Sequence, residues 1–86
     1  MIVKLFAVLD SASGVYDGPV PAHTELVAMR NFTDMAKNEN SPIGAHPSDF
    51  SLWLVGTWND ATGEIVTDGK KCIAYAVDLL TPEEVN

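Results

Sequence analysis

Apolar residues fall along the chain in four blocks. Ile2 to Leu9 is apolar at nearly every position, with Lys4 the exception. A run of that kind predicts a strand covered on both faces, hence a central one. Asp10 to Pro21 is broken by Ser11, Ser13, Gly14, Asp17, Gly18, Pro19 and Pro21 and reads as turn and loop, with room for a short strand at Val15 and Tyr16. The period then changes. Leu26, Val27, Ala28, Met29, Phe32, Met35 and Ala36 recur at spacings of three and four, behind Thr24 as an N-cap and Glu25 at the positive end, with Lys37 in the last turn. A helix from Thr24 to Lys37 follows.

Asn38 to Ser48, with two prolines and a glycine, predicts a loop. From Asp49 to Trp58 the chain alternates: Phe50, Leu52, Leu54, Gly56 and Trp58 on one face, Ser51, Trp53, Val55 and Thr57 on the other. Asn59 to Gly63 is a strong turn signal, and Glu64 to Thr67 returns as the second arm of a hairpin. After a turn at Asp68-Gly69, Lys71 to Leu79 predicts a further strand. The expected fold is α+β, one helix packed on a small, mostly antiparallel sheet of about four strands. Residues 1–80 form one domain, and 81–86 form an acidic, flexible C-terminal tail.

Composition narrows the functional classes. Hydrophobic residues are 47% of the chain, while a domain of this size buries only about 60–65% of its unfolded surface. Self-association into a homo-oligomer is expected on this ground. The net charge of −7 argues against strong, sequence-independent binding to a phosphate backbone and favours protein partners. The single cysteine, Cys72, excludes an internal disulfide. Met1 to Leu9 reads as a strand rather than a signal peptide, and no apolar run reaches the roughly 18–20 residues of a membrane span.

The chemistry-bearing residues are sparse. His46 and Asp49 stand three apart, but His23 and Cys72 are the only other soft ligands, so neither a metal nor any other cofactor is expected. In that loop, Asp49 or Ser48 is expected to bond backbone amides. The chain has no nucleophile elbow, phosphate loop or paired carboxylate motif, and an enzyme is not expected. Strict alternation puts Trp53 and Trp58 on opposite faces. With Trp58 in the core, Trp53 is exposed beside Val55, as a subunit contact or a base-stacking surface. The cations Lys4, Arg30, Lys37, Lys70 and Lys71 would join Trp53 in contacting nucleic acid only if folding or oligomerisation gathers them.

An ordered set of residues is more specific than any of these features. It comprises Lys4-Leu5-Phe6, Val8 and Asp10; Ala28, Arg30, Phe32 and Asp34; then Ser41, His46-Pro47, Asp49-Phe50, Leu52, Gly56, Asp60 and Thr62-Gly63. The set resembles the small nonstructural protein of gokushovirus-type microviruses, which are single-stranded DNA phages. The resemblance covers Val3 to Gly63 and fades beyond. It implies an early phage protein, absent from the virion, that assists single-stranded genome synthesis in the host bacterial cytoplasm. Single-stranded DNA is the implied ligand, and no catalytic residue carries over. The alternative is an adaptor or oligomeric scaffold that contacts replication or procapsid proteins without touching DNA.

Overall fold

The computed structural model describes residues 1–80, so the expected 81–86 tail lies outside the described residues. In chain order the elements are β1 (Ile2–Asp10), β2 (Val15–Tyr16), β3 (Val20–Ala22), α1 (Glu25–Lys37), α2 (Pro42–Ala45), a 3-10 turn (Pro47–Asp49), β4 (Phe50–Asn59), β5 (Ile65–Val66), β6 (Lys71–Tyr75) and a second 3-10 turn (Ala76–Leu79). β1 and β4 form the antiparallel spine of the sheet, paired from Ile2 opposite Asn59 to Asp10 opposite Phe50. β2 and β3 share the free flank of β1, and β5 and β6 share that of β4, every pairing antiparallel. The six strands thus make a sheet only four strands wide. The fold is α+β on an antiparallel sheet, as the pattern predicts.

β1 is central because it can be covered on both faces: Val3, Leu5, Phe6 and Ala7 are all buried. α1 lies on the face that carries Phe6 and Leu52. It packs there through Ala28, Phe32 and Ala36, one residue per turn, with Ile43 and Ala76 closing the core. The larger apolar residues of the helix pattern are not all inward, and Leu26 is 76% exposed. Thr24 caps the helix, its Oγ1 accepting from the Val27 N–H at 3.2 Å. Thr24→Ala leaves that donor to water and is expected to lower stability by about 1 kcal/mol. The check is a fall of about 4–8 °C in the melting temperature.

Four departures from the sequence pattern have physical causes. Within the expected 38–48 loop, α2 forms because Ser41 accepts from the Gly44 N–H at 2.9 Å, Pro42 starts the turn, and Ile43 drops into the core. β3 forms despite Pro21, because it is an edge strand where a missing N–H does no harm. The strand expected over Lys71 to Leu79 stops at Tyr75; the remaining apolar residues coil into the 3-10 turn and bring Ala76, Leu79 and Leu80 onto the core. A buried apolar run does not by itself distinguish these two outcomes. The fourth departure concerns the tryptophans. Leu54 pairs with Phe6 and Gly56 with Leu5, so Val55 is an extra residue, a β-bulge. The bulge reverses the alternation. Trp58, opposite Val3, therefore shares a face with Trp53, opposite Ala7. The expected arrangement is corrected on both counts: Trp53 is half-buried, and Trp58 is the exposed one at 37%.

Candidate functional site: an aromatic sheet face

The face of the sheet turned away from α1 collects aromatic side chains. Residues directly opposite in a ladder point the same way. Tyr16 and Ser51 both lie opposite Leu9; Trp53 lies opposite Ala7 and Cys72; Tyr75 lies opposite Ser51. All five share the face of Ala7 and Leu9, whereas Phe6 and Leu52 face the helix. The buried Ser51 hydroxyl accepts from the Trp53 Nε1 at 2.8 Å and fixes the indole. Tyr16 meets Trp53 edge to face, with ring centroids 6.1 Å apart and an interplanar angle of 80°. Lys70 places its Nζ 5.0 Å from the Tyr16 centroid and 5.9 Å from that of Trp53. Both distances suit cation–π attraction.

Tyr75 and Cys72 lie on the same face. The charge of the Cys72 thiolate holds the Tyr75 hydroxyl above the usual phenol range, with smaller contributions from desolvation and from Asp78. Gly56 has a packing role here. A Cβ at this position would sit 2.7 Å from the Val66 carbonyl oxygen and 3.1 Å from Thr67 Cγ2, so only glycine lets the chain after β5 pass so close.

The structure separates most of the cations named from sequence. Lys70 and Trp53 come together. Lys71, its neighbour, turns to the helix side, where its Nζ is 3.7 Å from Glu25 Oε1 in an exposed ion pair. Lys4 is half-buried opposite Thr57 and Ala22, on the helix side of the sheet. Arg30 and Lys37 are exposed on α1. Val55 is the half-buried extra residue of the bulge. Residue type and spacing alone do not distinguish Tyr16, Ser51 and Tyr75. The usable signal is the predicted strand at Val15 and Tyr16, whose register decides where the Tyr16 ring goes.

In the loop before β4 it is the Asp49 main chain that makes the ties: its N–H donates to the His46 carbonyl at 3.0 Å, and its carbonyl accepts from the Ser11 N–H at 2.8 Å. Among the described residues, no group of three or more His, Cys, Asp or Glu side chains is placed to hold a metal ion. No helix among them is long and apolar enough to cross a membrane.

The phage ORF5 protein family matches residues 3–79 of the chain. The chain belongs to the phage ORF5 protein family. The ORF5 match spans the whole sheet, α1 and the aromatic face, and it includes the segment after Gly63, where the motif set fades. Membership in the ORF5 family makes this a phage protein, and such a protein acts in its host cell. No curated protein and no solved structure matches the chain.

Proposed function

We propose that this protein is the gokushovirus-type nonstructural member of its family and assists viral single-stranded DNA synthesis in the host cytoplasm, contacting the single strand through the aromatic face. The carrying observation is the Tyr16–Trp53–Lys70 arrangement on the face of the sheet turned away from α1. Single-strand binders stack bases on aromatic rings and track the backbone with cations. Here the ring is fixed by Ser51, and Lys70 is within reach of a phosphate beside a stacked base. One cation per protomer supports only weak, non-catalytic binding. The salt dependence should therefore be shallow, with a log–log slope of about −0.7 for each phosphate contacted.

The test is an anisotropy titration of a fluorescein-labelled oligothymidylate of about 12 nucleotides, inside the usual span of one small domain. Trp53→Ala is expected to weaken binding about 5- to 150-fold, the equivalent of one stacked base. Trp53→Phe should keep most of the affinity. Absence of an anisotropy change in low salt at high micromolar protein would remove the DNA reading.

A specific observation favours a second reading, the oligomeric scaffold. β4 has ten residues, about 33 Å of strand, against about 20 Å for the thirteen-residue α1. At the end of the sheet nearest the chain terminus Ile2 is 61% exposed, Ile65 62%, Val66 41% and Trp58 37%. A second copy covering this apolar end would also multiply Lys70 along a shared strand. Solution mass across a concentration series separates the two readings: a strict monomer that still binds DNA leaves only the first.

A further inference from the structure

The sheet edge beside β1 is interrupted. β3 pairs with Lys4 to Phe6 and β2 with Leu9 and Asp10, leaving Ala7 and Val8 between them without a strand partner on that side. Asp17 takes the place of one. Its N–H donates to the Val8 carbonyl at 3.0 Å, and its Oδ1 accepts from the Val8 N–H at 2.7 Å. Gly18 and Pro19, which follow, are exposed. Between this interruption and the helices lie two cavities, one of about 110 Å³ reaching Phe6, Ala28 and Asn31, the other a more open one of about 310 Å³ reaching Tyr16, Ile43 and Phe50. Val8, Asp17 and Met35 line both, so the two cavities are adjacent, and together they are called the groove below.

The walls are mainly apolar. Among the described residues, the only charged side chains on them are the carboxylates of Asp10 and Asp17. The Asp17 Oδ1 is engaged, and among the described residues its Oδ2 has no hydrogen-bond partner, so it can accept from an incoming cation. The inner cavity is somewhat smaller than the roughly 150 Å³ that holds a benzene ring, and so suits a single aliphatic side chain. From this geometry we infer a docking groove for a peptide segment of a partner protein, one that presents a leucine-like side chain flanked by lysine or arginine. The aliphatic group fills the inner cavity, and the flanking cation meets Asp17 and Asp10. The net charge of −7 supplies the same complementarity at longer range. The inner cavity is on the helix side of the sheet, lined by Phe6, Ala28 and Phe32, and only the outer one touches the aromatic face, at Tyr16, so this inference does not rest on that face binding DNA.

The test follows backbone amide signals of the full chain by NMR, with the acetylated pentapeptide glycyl-lysyl-leucyl-lysyl-glycine amide as probe. Its glutamyl-leucyl-glutamyl and lysyl-seryl-lysyl counterparts are the controls. Shifts at Val8, Asn31 and Met35 are expected with the lysyl-leucyl peptide. Replacing leucine by serine should weaken binding at least about tenfold, and replacing lysine by glutamate about two- to fivefold, as for exposed ion pairs. Asp17→Asn keeps the Oδ1 acceptor for the Val8 N–H; it should retain the fold and lose the lysine preference. Equal shifts with lysyl and glutamyl peptides, or shifts centred on Trp53, would overturn the inference. So would binding of benzene without binding of peptide, which makes the groove a small-molecule site. Shifts at the groove that depend on protein concentration alone would assign it to a second copy and equally overturn it.

Discussion

Phe32→Ala should come close to unfolding the protein. Among the described residues, Phe32 is the one large side chain that is completely buried, at 0% exposure, and it sits between α1 and the sheet. Removing a buried ring costs about 3–5 kcal/mol in lost transfer energy and cavity. At 86 residues, total stability should be about 4–13 kcal/mol. A thermal melt followed by circular dichroism should show the midpoint falling by about 15–30 °C. Leu26→Ala on the same helix, at a site 76% exposed, should change stability by less than about 0.5 kcal/mol. Equal effects at the two positions would mean that α1 is not packed as described.

Gly44→Ala should have the next largest effect, through overpacking. A Cβ on Gly44 would lie 1.9 Å from the Asn38 carbonyl oxygen and 2.6 Å from its carbon. Both are main-chain atoms at the end of α1, and no rotamer change relieves the clash. α2 must move away from α1, taking with it the Ser41 cap and the buried Ile43. A loss of about 1–3 kcal/mol is expected, read from the urea midpoint at constant slope. Gly18→Ala is the control, since nothing lies within 4 Å of its Cβ position. It should be neutral or stabilise slightly, because alanine restricts the unfolded chain.

The contrast between these two glycines shows what a linear sequence conceals. Gly44 and Gly18 both sit in stretches rich in turn residues, and only the fold reveals that one of them touches a neighbouring backbone. The spine of the sheet and the start of α1 were legible, because apolar alternation and the Thr24-Glu25 pair act locally. α2 was not, because four residues carry no measurable period and its stability comes from the Ser41 cap and Ile43. The aromatic face was half legible. Trp53 and Lys70 stand out by type, but the Val55 bulge shifted the phase of everything after it and carried Trp58 to the same face. Lys70 and Lys71 looked like one basic pair, yet one lies over Tyr16 and Trp53 and the other pairs with Glu25. Neighbours diverge in this way wherever the chain enters a strand.

The β1–β4 spine also dictates when this protein can fold during its synthesis. Its partners lie 40 residues apart at the near end (50 − 10) and 57 at the far end (59 − 2). β1, the first strand made and the most apolar, has no sheet partner on that side until β4 has been translated. At about 5–20 residues per second, that leaves β1 without β4 for about 3–10 s on each ribosome. α1 is translated within this interval, and its packing on Phe6 in the finished fold makes it the element available to cover the helix side of β1 ahead of β4.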